Sequence, residues 1–297
     1  MPPYGRELAA LARIRKPRRV TTARTVRLRP RKSLGQNFLR DDNTARKIAA
    51  AIDPRPDDCI LEIGPGEGAL TRHLEGRCRS LTVVDVDERA VSAMKAMFSG
   101  GSVEVILGDF LKTDLPAFAV GHPGRFRVVG NIPYNITTPI LFHVIDNRGP
   151  VHDLTITVQR EVGRRMLAGP GTGEYGILSV FCAYYAEVRA LFEVSPNAFY
   201  PKPDVTSIVM NLEMRARPAP AAEDDAFFRE MVRSVFGKRR KTLRNSLRYF
   251  ASPRGIMVPG LPLLRRRPEE LSVQELVDLS NTLLGCVPAA PAGPGRA

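Results

Sequence analysis

The four residues Asn131-Ile132-Pro133-Tyr134 have the types that amine chemistry needs. The Asn131 side-chain oxygen and the Pro133 backbone carbonyl are both acceptors for the two hydrogens of a planar amino group. The Tyr134 ring offers a face on which the base carrying that amine stacks. An exocyclic adenine amine is a poor nucleophile because its lone pair is delocalised into the ring. Two fixed acceptors draw it toward a tetrahedral shape and aim the lone pair at a methyl on sulfonium, with no strong base required.

A glycine loop, Leu61-Glu62-Ile63-Gly64-Pro65-Gly66-Glu67-Gly68, lies upstream between a predicted strand and a predicted helix. Gly64 and Gly66 let the backbone approach a ligand, and the helix start presents free N–H groups. Gly64, Gly66 and Ala69 also satisfy the relaxed dinucleotide pattern, so this loop alone does not separate NAD from S-adenosylmethionine. Asp85 closes the next predicted strand, 21 positions beyond Gly64, and can accept from both hydroxyls of a ribose. Asp109 follows the third predicted strand and can accept from an adenine amine. Each aspartate alone is a common cap or turn residue. Together, at consecutive strand ends, they describe an adenosine pocket.

The elements that must position these residues alternate. Strands are predicted at 59–63, 81–84, 103–107, 126–129 and 154–158, with helices at 69–74, 88–98 and 138–145. A helix before them starts at Asp42, capped by Asp41 or Asp42, with Ala45, Ile48, Ala49 and Ile52 on one face. This order is that of an α/β doubly wound parallel sheet. Segments 179–194 and 205–212 have no helix between them and read as an antiparallel pair closing the sheet edge. Residues 215–222 read as a linker, and the pattern turns helical from about 223. The division expected is a basic N-terminal arm (1–31), an α/β domain (32–216), a small all-helical domain (217–285) and a disordered tail (286–297).

Composition fits a globular protein with a polyanionic partner. The chain has 297 residues, 43% hydrophobic and 25% charged, a net charge of +13 and a pI near 10.0. Residues 1–32 carry +10, 33–200 carry −3 and 201–267 carry +9. Arg240, Arg244 and Arg248, spaced i, i+4, i+8 opposite Leu243 and Leu247, form a cationic stripe. Arg239, Lys241 and the run 265–267 extend it, and such a stripe suits phosphates. The four cysteines form no CxxC and the four histidines no HxxxH, so no metal site is expected and a reducing compartment is. No apolar run is long enough for a bilayer, so no membrane partner is expected. The Arg-rich start reads as a disordered basic arm, as an organelle transit peptide, or as the product of a start codon placed too far upstream.

These motifs, in this order, resemble the KsgA (RsmA) family of ribosomal RNA adenine dimethyltransferases, from about Lys32 to about Leu284. The resemblance also includes Ser33-Leu34-Gly35-Gln36-Asn37-Phe38-Leu39, Gly108-Asp109, Phe199-Tyr200-Pro201-Lys202-Pro203-Asp204-Val205-Thr206-Ser207 and Arg240-Lys241-Thr242-Leu243-Arg244-Asn245-Ser246-Leu247. It implies a Rossmann-like class I methyltransferase sheet, mostly parallel with an antiparallel edge strand, and a small C-terminal helical domain. Asn37 and Leu39 would close over S-adenosylmethionine. Gly64, with Gly66, would face its methionine part, Asp85 its ribose and Asp109 its adenine, with Asn131 near the methyl. The family carries Glu where Asp85 stands. Phe199 would sandwich the target adenine with Tyr134, although a Phe before Pro-x-Pro also serves as a core plug.

The activity implied is N6,N6-dimethylation of two adjacent adenines in the 3′-terminal hairpin loop of 16S rRNA, with a role in small-subunit biogenesis. The chain would act as a cytoplasmic monomer on the 30S particle, or in an organelle matrix if residues 1–31 are a transit peptide. The alternatives are an erythromycin-resistance-type enzyme acting on 23S rRNA and a non-catalytic RNA-binding assembly or transcription factor on the same fold. A DNA adenine methyltransferase fits less well, because Ile132 stands where those enzymes carry Pro.

Overall fold

In the computed structural model of the chain, residues 27–238 and 241–288 are described. A two-residue strand β1 (Phe38–Leu39) precedes helix α1 (Asp42–Ile52). The Asp41 carboxylate caps α1 by accepting from the Thr44 N–H, and the Ala45/Ile48/Ala49/Ile52 face is buried. There follow β2 (Asp58–Ile63), α2 (Thr71–Leu74), β3 (Ser80–Asp85), α3 (Glu88–Met97), β4 (Glu104–Leu107), α4 (Leu115–Gly121), β5 (Arg125–Asn131), α5 (Thr137–Asp146), β6 (Asp153–Gln159), α6 (Arg160–Leu167), α7 (Ile177–Tyr185) and β7 (Ala186–Val194). Then come β8 (Phe199–Tyr200), β9 (Ser207–Met214), α8 (Asp225–Phe236), α9 (Leu243–Ala251) and α10 (Val273–Leu284).

Seven strands form one sheet in the order β4-β3-β2-β5-β6-β9-β7. The first five are parallel, and β9 runs antiparallel to both β6 and β7. Every residue of β2 is buried, as a central parallel strand covered on both faces requires. The chain winds from β2 out to β4, then crosses back to place β5 on the other side of β2. The crevice above the carboxyl ends of β2 and β5 is therefore a topological switch point, where open α/β sheets bind ligands.

At the opposite end of these strands lies a buried ion network. The Arg127 guanidinium donates to Asp153 at 2.7 Å through two nitrogens and to Asp58 at 2.9 Å, and Asp58 also accepts from Arg125. It ties β2, β5 and β6 together away from the crevice.

The structure departs from the sequence reading in three places. Residues 179–194 are not one strand: α7 occupies 177–185, and only 186–194 pair in the sheet. Seven of the nine α7 residues are buried, so the helix has no polar face to mark its period. Helices α4 and α6 form where no element was expected. Residues 27–31 are not a free arm: Leu28 is buried with Phe38 and Ala90. Residues 1–26, 239–240 and 289–297 lie outside the described residues, and with them most of the expected arm and tail.

The C-terminal helices are amphipathic, with Phe228, Met231 and Val235 of α8, Leu243 and Leu247 of α9 and Leu276, Leu279 and Leu283 of α10 in one core. That core includes Val180, Phe181, Tyr184 and Tyr185 of α7, so packing is continuous from the helices to the sheet. The Tyr185 hydroxyl donates to Asp225 at 2.8 Å, and Arg229 pairs with Asp146. Among the described residues no helix is long and apolar enough to cross a membrane.

Candidate active site

A cavity of about 310 Å³ opens at the switch point. Its walls come from the carboxyl ends of four parallel strands: Glu62 to Glu67 after β2, Val84 to Val86 after β3, Gly108 to Leu111 after β4, and Asn131 and Pro133 after β5. Of the sequence-derived candidates, Asn37, Leu39, Gly64, Gly66, Asp85, Asp109, Asn131 and Pro133 all line it.

The glycine loop is set by backbone conformation. Gly64 (φ 62°) and Gly66 (φ 54°) occupy the left-handed region, which a Cβ disfavours. At Gly66 a Cβ would also stand 2.8 Å from the Phe38 ring, so glycine lets the segment before α1 pack directly on the loop.

That segment, residues 27–40, forms a cover, and it supplies Ser33, Leu34, Gln36, Asn37, Phe38 and Leu39 to the cavity wall. Two buried carboxylates hold it. Glu67 accepts from the Leu28 N–H at 2.8 Å and from Arg40 at 3.0 and 3.3 Å, and pairs with Arg27 at 3.3 Å. Asp87 accepts from the Gln36 amide at 2.9 Å and from Arg89. The Arg89 guanidinium, with the Gln36 contact, holds the Asp87 carboxyl far below the usual range although burial opposes it. Neither Glu67 nor Asp87 was singled out from sequence. The partners of Glu67 lie 27 to 40 positions away, and no local spacing announces them.

Inside the cavity the charges are negative. Burial raises the Glu62 carboxyl to about 7, with the nearby Asp85 charge adding to the rise, and Glu62 Oε2 makes no hydrogen bond. Asp85 is also raised by burial, while one of its oxygens accepts from the Asp87 N–H at 2.9 Å. Asp109 caps a turn by accepting from the Leu111 N–H at 3.0 Å. The two aspartates are thus turn residues and wall residues at once. Glu62 stood inside the recognised motif but had no role assigned from sequence.

At the end of β5 the Asn131 side-chain amide donates to the Asn37 backbone carbonyl at 3.3 Å, which leaves its oxygen as the acceptor atom. The Pro133 carbonyl was expected to be a free acceptor. It instead closes a turn, accepting from the Ile136 N–H at 3.2 Å and the Thr137 hydroxyl at 3.5 Å. A residue at the entry of a helical turn loses its carbonyl to that turn, which spacing alone does not reveal. Tyr134 begins this turn beside the cavity, and its hydroxyl shares a 2.6 Å hydrogen bond with Ser207 on β9. Burial pushes the Tyr134 phenol up. Phe199 is only 6% exposed and is not on the cavity wall; it sits on β8, paired with Leu39 of the cover.

The cationic surface is partly described. Arg239 and Arg240 lie outside the described residues. Lys241, Arg244 and Arg248 are exposed. The 265–267 run contributes less than expected, because Arg266 pairs with Glu275 and Arg267 with Glu269.

A doubly wound sheet ending in antiparallel strands, with an acid-lined crevice at its switch point and an Asn-x-Pro-Tyr turn after the central strand, defines a Rossmann-like methyltransferase. Residues 27–258 match the ribosomal RNA adenine dimethylase family, and the chain belongs to that family. Ribosomal RNA small subunit methyltransferase A of Moorella thermoacetica is 40% identical over 278 residues, covering 90% of this chain and 96% of the relative. Its namesake from Methylococcus capsulatus is 43% identical over 255 residues, covering 86% and 98%. Among solved structures, a dimethyladenosine transferase from Plasmodium falciparum shares the fold (TM-score 0.68, 23% identity, 82% and 95% covered). The 23S rRNA methyltransferase ErmE is similar over 82% of this chain and 100% of its own (TM-score 0.59, 31% identity). Methyltransferases of this fold and family draw on a methyl donor of the S-adenosylmethionine type.

Proposed function

We propose that the chain binds S-adenosylmethionine in the switch-point cavity and uses it to dimethylate N6 of two adjacent adenines in the 3′-terminal hairpin loop of small-subunit ribosomal RNA. The observation that carries this reading is the placement of Asn131. It stands at the end of β5 on the wall of an acid-lined cavity, with its amide nitrogen engaged and its oxygen left to accept.

The residues present fit this donor. It is a cation, and the cavity wall contains four carboxylates, Glu62, Glu67, Asp85 and Asp109, the first with a buried oxygen that has no partner. When bound, the donor supplies a methyl on positively charged sulfur. Glu62 and Asp85 offset the positive charge, and Asp85 and Asp109 accept from the ribose and the adenine. The 27–40 cover excludes water, which strengthens each of these contacts.

Asn131 Oδ1 and a main-chain carbonyl of the 131–133 segment with a lone pair to spare orient the target amine. Neither is basic enough to deprotonate it, so their contribution is alignment. Tyr134, its ring fixed through Ser207, is the stacking face, and the buried Phe199 supports the strand paired with the cover. Lys241, Arg244 and Arg248, with Arg239 and Arg240, take RNA phosphates. The enzyme acts as a cytoplasmic monomer on the 30S particle.

The 23S rRNA reading has the support of ErmE at 31% identity, against 40–43% for the small-subunit relatives. Incubating the enzyme and methyl-labelled donor with separate 30S and 50S subunits tests the assignment. Label in 30S RNA is expected; label confined to 50S RNA would overturn it.

A further inference from the structure

Residues 231–268 contain eleven Lys or Arg and no Asp or Glu. The structure separates the cations that are engaged from those that are not. Arg254 pairs with Glu230 at 2.6 Å, Arg266 with Glu275 and Arg267 with Glu269. The Arg233 guanidinium lies over the rings of Phe142 and Phe181. Lys238, Lys241, Arg244 and Arg248 reach no carboxylate among the described residues.

Helix α9 explains how they are displayed. Its Leu243, Ser246, Leu247 and Phe250 are buried, so Arg244, Asn245, Arg248 and Tyr249 face outward. Tyr249 is the unexpected member, a large aromatic side chain 51% exposed on this cationic face. Lys241 Nζ donates to its hydroxyl at 2.9 Å. The Lys238 and Lys241 ammonium groups lie 5.0 and 5.2 Å from the ring centre. Two like charges gathered at one open ring, with no carboxylate to relieve them, suit a ligand that is at once flat and anionic.

We propose that Tyr249 is a stacking face for an unpaired nucleotide of the substrate RNA, apart from the site that holds the target adenine, and that Lys238 and Lys241 take the adjoining phosphate. The inference rests on the RNA reading given above. Every base has a π face, so this contact holds the RNA without reading its sequence. A purely acidic protein partner would use the lysines and gain little from the ring.

Affinity for 30S particles, measured with the full chain over a range of salt, tests this. Tyr249→Ala is expected to weaken binding about tenfold with the salt slope retained. Tyr249→Phe, which keeps the ring and loses the hydroxyl contact, is expected to stay near wild type. The Lys238→Ala/Lys241→Ala variant is expected to lower the salt slope by about one to two. Binding of S-adenosylhomocysteine, unchanged in all three, reports an intact fold. Wild-type affinity in Tyr249→Ala, or an equal loss in Tyr249→Phe, would overturn the stacking role. A wild-type chain that does not bind the particle would instead remove the RNA reading beneath it.

Discussion

Asn131 and Asn37 hold each other across the cavity: the side-chain amide of the first donates to the backbone carbonyl of the second at 3.3 Å. The residue at the end of the central strand is thereby oriented by the cover. Asn131→Ala removes the proposed acceptor and is expected to lower the methylation rate by about 10²–10³ with RNA affinity retained. Asn37→Ala keeps the main-chain carbonyl and is expected to cost far less. Single-turnover rates of the two variants check this; equal losses would contradict it.

Glu67 is the main anchor of the cover, through Leu28, Arg27 and Arg40. Its removal leaves buried donors unpaired and frees the segment. Glu67→Ala is expected to raise KM for the methyl donor about tenfold with a much smaller change in kcat. An unchanged KM would show that the cover closes without this anchor.

Glu62 makes the empty protein sensitive to pH. Its carboxyl is raised from 4.5 to about 7 by burial, so between these values the folded state holds a proton that the unfolded chain has released. Stability therefore falls as pH rises through that window and levels off above it. A cationic donor favours the ionised carboxylate, so its binding is expected to release protons in the same window. Calorimetric titration in buffers of different ionisation enthalpy measures this release. It should disappear in Glu62→Gln, and its persistence there would assign the proton to another group.

Arg127 separates stability from function. It is 4% exposed and bridges Asp58 and Asp153 at the end of the sheet away from the cavity. Arg127→Ala leaves two buried carboxylates without their shared partner and is expected to cost about 3–5 kcal/mol in denaturant unfolding. Donor affinity of the folded fraction should be unchanged.

The strand ends and their acids were legible in the sequence because each lies next to its own motif: Gly64 and Gly66 after β2, Asp85 closing β3, Asp109 after β4 and Asn131 closing β5. What was not legible depends on distance or on burial from all sides. Helix α7 is surrounded by core, so its apolar run has no polar face and reads as a strand. Helix α6 buries only Gly163 and Met166, which gives too little apolar signal to detect. The Glu67 and Asp87 contacts to the cover join residues far apart in the chain. The engagement of the Pro133 carbonyl by Ile136 was not legible either, because a residue's type is visible in sequence and its hydrogen-bond partners are not.

The most direct test is mass spectrometry of the 3′-terminal hairpin fragment from undermethylated 30S particles incubated with S-adenosylmethionine and either the wild-type chain or Asn131→Ala. Two methyls on each of two neighbouring adenines with wild type, and at most a trace with the variant in the time that completes the wild-type reaction, is the expected result. An unmodified hairpin with wild type, or full dimethylation by Asn131→Ala, would contradict methyl transfer at the end of β5.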